Sequence, residues 1–367
     1  MELRVEITPL AFNKTAVYFL IRDTVRYLLS EKYNISLHAL GEPIELSEFV
    51  DNDLELSEAS KEKFTSRLDH ILEGKETINS DMIGVHARQT LSLVFDPLYI
   101  EYEFGSRKIL SFVHDLTPVT RPDWHRQKVS SAYARAFRYL YRKDIEILAV
   151  SQSTARDLWA NYGIPRRRVN IISLYDRFSP HGGLVRDPKK IILFVGSLET
   201  RKNVVGLIKA FEFSDLFRKG FTLHIVGGDG YGAREIRESA SRIEGVLFRG
   251  RISDKDLEDA YRQCCCLAYP SFWEGFGLPA LEALNRGIPI LLSNSGALSE
   301  VGGVFAVYAD PCDIRSISNA LLEVCSVSSE VLVQEDHLKK INLWTERFCR
   351  ENFMKKLSTI LESSMNA

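Results

Sequence analysis

The feature that most constrains this chain is a rhythm in its C-terminal half. Short apolar runs recur there: IILFVG (191–196), LHIVG (223–227), VLFRG (246–250), CLAYP (266–270), PILLS (289–293) and VFAVYA (304–309). Each is too short for a good helix and most stop at Gly or Pro, so each predicts a strand. Polar or amphipathic stretches of helical length separate most of them. Strands alternating with helices predict a parallel sheet covered on both faces, and such sheets take ligands at the carboxyl ends of their strands.

The N-terminal half repeats the rhythm less regularly. Candidate strands lie at 4–7, 35–40, 83–87, 93–97, 109–114, 146–151 and 169–175, and candidate helices at 15–30, 130–143 and 152–163. The highly charged stretch 50–80 predicts a surface helix or insertion, and a further helix is expected over 335–363. A length of 367 residues suggests about two domains. The stretch DRFSPHGGLVRDPKK (176–190) mixes Pro, Gly and charge and reads as the linker. The expected division is 1–180, 181–340 and a final segment 341–367.

Composition removes several classes of function. A net charge of −2 argues against bulk nucleic-acid binding. The six cysteines form no disulfide framework and no CxxC pair spaced for zinc. Cys264, Cys265 and Cys266 open a strand, where small buried residues pack well. No apolar leader and no run of 18 apolar residues occurs, so a cytoplasmic setting is expected. The basic segment 130–143 carries Arg135, Arg138, Arg142 and Lys143 among aromatic residues. It can be read as a peripheral contact with the inner face of a membrane, but an ordinary surface helix with snorkelling arginines is the favoured reading.

The segment YPSFWEGFGLPALEALNRGIPILLSNSGALSEVGG (269–303) decides the chemistry. A strand ends at Tyr269-Pro270, a loop with Gly275 and Gly277 follows, and Pro279 sits in the first turn of a helix, where its missing N–H costs nothing. Glycines let a ligand approach the backbone, and a helix N-terminus suits a diphosphate. Glu274 precedes the loop and Glu282 lies about one turn into the helix, the first suited to a sugar hydroxyl and the second to a ribose diol. The bland alternative is a helix start with acids set against its dipole.

Glu274 and Glu282, separated by GFGLPAL, match the E-x7-E motif of the family 4 retaining glycosyltransferases, the group-1 family with the GT-B fold. The resemblance runs on through GIPILLSNSGALSEVGG and extends upstream to FVGSLETRKNVVGLIKAF (194–211), LHIVGGDGYG (223–232) and FRGRISDKDLEDAYRQC (248–264). In the N-terminal half, HDLTPVTRPDWH (114–125) and AVSQSTARDL (149–158) also match.

The resemblance implies an α/β chain of two doubly wound Rossmann-like lobes with a cleft between them. The N-terminal lobe would bind the acceptor, the C-terminal lobe would hold the nucleotide sugar, and the final helix would cross back to the first lobe. The implied reaction is transfer of a hexose, with retention, from UDP-glucose or, next, GDP-mannose to a glycan or lipid-linked acceptor in polysaccharide assembly, with no metal or cofactor. Arg201 and Lys202 are implied to hold the diphosphate, Arg251 and Ile252 to contact the base, and Gly275, Phe276, Gly277 and Leu278 to line the donor. His114 is implied to position or polarise hydroxyls, with Asp115 orienting its ring. Relatives carry a glycine-rich turn after the first strand; here Asn13, Lys14 and Thr15 stand in its place as candidate phosphate contacts.

Gly228, Gly230 and Ala233 fit a dinucleotide fingerprint, but the next strand ends Phe248-Arg249-Gly250 without the acid that would hold a ribose. Asp51-Asn52-Asp53 and Asp254-Lys255-Asp256 match a metal-binding D-x-D of another glycosyltransferase fold, with no supporting cluster of oxygen ligands. A nucleotide-sugar epimerase on the same fold and a catalytically silent binding module are the rival readings.

Overall fold

A computed structural model of the chain describes residues 1–12, 15–50, 54–75, 90–178, 187–241, 243–326 and 335–366. The candidate strand 83–87, the D-x-D at 51–53, Asn13 and Lys14 lie outside these, as does much of the linker. The chain divides into two compact units, Met1–Ser173 with Glu351–Ala367, and Leu174–Arg350.

The first unit holds β1 (Glu2–Glu6), β2 (Ile35–Ala39), β3 (Glu42–Ile44), β4 (Thr90–Val94), β5 (Lys108–Val113), β6 (Ile145–Ala149) and β7 (Val169–Ile171) in the order β3-β2-β1-β4-β5-β6-β7. All neighbours are parallel except β2 and β3. Its helices are α1 (Ala16–Ser30), α2 (Glu58–Glu73), α3 (Thr117–Thr120), α4 (Gln127–Ala136) and α5 (Gln152–Tyr162). β3 was not expected from the sequence. It is three residues long, carries Pro43 and joins β2 through a two-residue turn at Leu40 and Gly41, both at positive φ. Proline is tolerated there because the strand is an edge.

The helix expected over 130–143 is two pieces, α4 and a 3-10 turn over Phe137–Tyr141. Phe137 and Leu140 are buried. Arg135 donates to the carbonyls of Ile71 and Leu72 at the end of α2, and Arg142 pairs with Asp144. Half of the basic residues singled out are therefore committed to the protein itself.

The second unit holds β8 (Ile191–Val195), β9 (Thr222–Val226), β10 (Val246–Gly250), β11 (Cys266–Tyr269), β12 (Ile290–Ser293) and β13 (Ala306–Ala309). They lie in the order β10-β9-β8-β11-β12-β13, all parallel. Its helices are α6 (Val204–Phe213), α7 (Ala233–Ala240), α8 (Asp254–Gln263), α9 (Leu278–Asn285), α10 (Leu298–Gly302), α11 (Ile314–Ser326) and α12 (Glu335–Thr345). β11 and β12 are buried along their whole length, which is why they read as unbroken apolar runs. The strand order reverses between β8 and β11, and that switch point is where an open parallel sheet leaves a crevice.

The unit boundary falls after Ser173, earlier than the 180/181 junction expected, because Asp176 is tied to the second unit through Asn285 and Arg286. The C-terminal segment is also split. α12 stays with the second unit, where Trp344 donates to the Val301 carbonyl and Phe348 meets Phe276 edge-on. A 3-10 turn at Glu346–Phe348 ends it, and only α13 (Arg350–Asn366) joins the first unit. There Phe353 stacks on Phe112 with ring centroids 6.2 Å apart, and Tyr27 bonds Ser358 at 3.0 Å. Phe353, Leu357 and Leu361 are buried, each contributing about 1.5–3 kcal/mol. Among the described residues no helix is long and apolar enough to cross a membrane.

Candidate active site

Two loops leave the second sheet on either side of its switch point. The loop after β8 carries Arg201 and Lys202 in a 3-10 turn, Thr200–Lys202. The loop after β11 carries Glu274 and runs into α9. Asn203, at φ +54, ends the first loop and clamps it to the second, its amide donating to the carbonyls of Pro270 (3.0 Å) and Pro311 (2.8 Å). The N–H of Phe272 donates to the Arg201 carbonyl at 2.8 Å.

This zipped pair of loops brings three of the sequence-predicted residues together. Lys202 Nζ donates to Glu274 Oε1 at 2.6 Å and to the Tyr269 hydroxyl, and Arg201 Nη1 donates to Glu274 Oε2 at 3.1 Å. Arg201 Nε also pairs with Glu199 at 2.9 Å. Lys202 and Glu274 are buried. Burial alone would raise the Glu274 carboxyl, but Lys202 and Arg201 outweigh it and hold the group down at about 2. Burial, with Arg201 beside it, lowers Lys202 from its ordinary value. Gly296 buttresses the acid from behind: its φ is +61, and a Cβ there would lie 2.5 Å from the Glu274 carbonyl oxygen. Gly277, at φ +104, caps α9, with Pro279 in its first turn.

Glu282 keeps different company. It is buried on α9 and accepts from the Tyr261 hydroxyl at 2.7 Å, with Arg177 Nε 3.9 Å away. Burial, with Asp176 nearby, pushes its carboxyl up to about 7 against Tyr261, Arg177 and Arg286. Arg286 binds Asp176 at 3.1 Å and Glu258 at 2.6 Å. Arg177 also binds Asp254 at 2.9 Å, so it links Glu282 to the start of α8 and the Arg251–Ile252 loop before it. The side chain of Arg251 lies over Gly228. Ser253 caps α8 by accepting from the Asp256 N–H at 3.1 Å, which gives the D-x-D at 254–256 a structural use. Gly228 to Ala233 form the turn from β9 into α7, with Gly232 as its cap.

His114 lies in the first unit, at the end of β5. Its Nε2–H donates to the Phe95 carbonyl at 2.9 Å, so in the neutral ring Nδ1 carries the lone pair. Asp115 does not orient this ring: it accepts from the Thr117 N–H at 2.8 Å instead. Thr15 precedes α1 and makes no side-chain cap bond.

Sequence reasoning missed Glu199, Tyr269, Asp176, Arg177 and Arg286. It also missed Glu6 and Asp96, at the carboxyl ends of β1 and β4. Glu6 accepts from the N–H and hydroxyl of Thr8, and burial pushes it up to about 8. Asp96, also raised by burial, accepts from the Tyr133 hydroxyl at 2.7 Å. The only signal for these was their place at a strand end.

Residues 178–331 match the family described as glycosyl transferases group 1. O-antigen chain mannosyltransferase B of Escherichia coli is 36% identical over 135 residues, which is 36% of this chain and 35% of that protein, so the match spans about a third of the relative's length. O-antigen chain mannosyltransferase RfbU of Salmonella typhimurium is 25% identical over 260 residues, 69% of each chain. A glycosyltransferase structure from Rickettsia africae superposes with a TM-score of 0.67 at 14% identity, covering 99% of this chain and 98% of the other, a likeness of fold.

Proposed function

We propose, from the premise that this chain belongs to the group 1 glycosyl transferases and has their GT-B fold, that it moves a hexose from a nucleotide diphosphate sugar to a hydroxyl of a glycan or lipid-linked acceptor in polysaccharide assembly. The observation that carries this reading is the convergence of Arg201 and Lys202 on Glu274 at the switch point of the second sheet. Two cations held there suit a diphosphate, and the ionised acid between them suits a sugar hydroxyl. The names of the relatives alter the preferred donor. Both O-antigen proteins are mannosyltransferases, so GDP-mannose stands ahead of the UDP-glucose expected from the sequence.

Arg201 and Lys202 meet the charge that grows on the diphosphate as the bond from C1 to its oxygen breaks, a contribution of about 10²–10³ in rate for one such donor. The same pair supplies the countercharge a metal would bring, so the reaction as proposed is metal-independent. Gly275, Phe276, Gly277 and Leu278 border the phosphates. Glu282 accepts from the ribose, with Tyr261 and Arg177 holding it in place. Arg251 and Ile252 border the base.

His114 Nδ1 accepts a hydrogen bond from a sugar or acceptor hydroxyl. Retention follows from attack on the face that the diphosphate leaves. The acceptor oxygen bonds C1 and its proton passes to a phosphate oxygen, so the protein supplies orientation and charge. With Arg135 and Arg142 engaged internally, segment 130–143 is an ordinary surface, and the enzyme works in the cytoplasm.

Thermal unfolding with a panel of GDP- and UDP-sugars tests the donor, since a ligand of the native state raises its stability. GDP-mannose is expected to give the largest shift, and NMR of the transfer product is expected to show an unchanged anomer. An inverted product ends the proposed mechanism. Isomerisation of the donor without acceptor points to an epimerase, and no shift with any donor points to a silent module.

A further inference from the structure

Cys264 ends α8, and Cys266 begins β11. Successive side chains of a strand point to opposite faces. Cys265 precedes the strand and escapes that alternation, so its sulfur lies 3.9 Å from that of Cys266. Cys325, in the last turn of α11, brings its sulfur to 3.8 Å from Cys266. All three sulfurs lie within 4.8 Å of one another. Three thiolates on one tetrahedral zinc, each at about 2.3 Å, stand about 3.8 Å apart. Two edges of the cysteine triangle already have that length.

Cys266 is buried while Cys265 and Cys325 are half-buried. A bound cation displaces the thiol protons. Cys265 donates through both N–H (2.8 Å) and Sγ–H (3.2 Å) to the carbonyl of Ile191, which opens β8. The cluster therefore sits at the amino end of the second sheet, whereas Arg201 and Glu274 follow the carboxyl ends of their strands. Among the described residues it is the one grouping of His, Cys, Asp or Glu side chains close enough to share an ion.

We propose that Cys265, Cys266 and Cys325 form a site for a single soft, thiophilic cation of the zinc(II), cadmium(II) or copper(I) class. Three sulfurs hold the ion, water fills the fourth position, and the ion pins the end of α11 to the start of β11. Thiolates select such ions over hard ones. The site plays no part in sugar transfer and stands whether or not the proposed reaction is correct.

Titrating the reduced full-length chain with cadmium, read by the ultraviolet thiolate-to-metal charge-transfer band, tests the site. One equivalent is expected to bind and to raise the melting temperature. Cys266→Ser and Cys325→Ser are each expected to weaken binding by more than the roughly 10–100-fold cost of losing an outer-shell partner. Cys312→Ser, at an exposed cysteine outside the cluster, is expected to bind like the parent. Should the serine variants not fold, X-ray absorption of the cadmium-loaded parent counts the sulfurs directly. Three sulfurs support the site and two or fewer overturn it. Absence of stoichiometric uptake, or uptake unchanged in both variants, also overturns it.

Discussion

At the carboxyl end of the second sheet the buried acid Glu274 is ionised, held at about 2, whereas at the carboxyl end of the first sheet the buried acid Glu6 is protonated, raised to about 8. Both side chains are hidden from solvent and both follow a central parallel strand. The difference lies in what was buried with them. Glu274 has two cations within hydrogen-bond reach, while the partner of Glu6 is the N–H and hydroxyl of Thr8. Desolvation penalises a lone charge heavily and a compensated one much less. At the switch point of the second sheet, Glu274 is offset by two cations, whereas at the end of β1 Glu6 has only neutral hydrogen-bond donors.

The sharpest break in this contrast comes from Lys202→Ala. It leaves Glu274 buried with one cation, so stability is expected to fall by about 3–5 kcal/mol. Turnover is expected to fall about 10²–10³-fold. A variant with parental melting temperature and nucleotide affinity would remove the cationic pair from the account.

The two acids also predict opposite limbs of a stability profile in urea. Glu274 titrates in the folded chain below its ordinary 4.5, so its contribution is complete above that pH. It is lost as pH falls from 4.5 toward 2, a change on the order of 3 kcal/mol. Glu6 is raised, so the folded chain keeps a proton that the unfolded chain loses. Stability is expected to decline as pH rises from 4.5 to about 8 and then level off, a change on the order of 5 kcal/mol. Glu6→Gln should shrink the upper limb, leaving the part that Glu282, raised to about 7, contributes, and should leave the acid limb intact; Glu274→Gln should shrink the acid limb and leave the upper one.

A smaller effect separates the roles of the units. His114→Ala is expected to lower turnover about 10²-fold while nucleotide affinity stays at the parental value. A parallel loss of affinity would assign the histidine to the donor. The smallest effect is shared. Ser151 caps α5 by accepting from Thr154 N–H at 3.0 Å, as Ser253 caps α8. Each Ser→Ala change is expected to cost about 1 kcal/mol, read as a drop in melting temperature.

Much of this was legible in the chain because it is local. The apolar runs of the second unit became β8 to β13 nearly at their expected bounds; β11 and β12 are apolar without a break because both their faces are buried. The last began two residues late, because Gly303–Phe305 coil into a 3-10 turn first. The basic pair and Glu274 were legible as a pattern of loop residues beside glycine and proline. Glu282 was legible as an acid one turn into α9, but its company was not. Asp176, Tyr261 and Arg286 reach it from separate elements, and no short-range pattern links them. β3 escaped notice because Glu42-Pro43-Ile44 lacks any strand signal except its neighbour.

By itself the amino-acid sequence determined the alternation of strand and helix, the glycine and proline stops that place loops at the strand ends, and the inventory of charged residues in those loops. These follow from steric limits and burial within a few residues of each position. Only the tertiary structure decided which charges compensate one another: that Lys202 and Arg201 share Glu274, that Phe95 rather than Asp115 orients His114, that Glu6 stays protonated, and that Cys325 arrives beside Cys265 and Cys266. The state of a buried group depends on every charge and dipole around it, and chain folding brings those neighbours from distant segments.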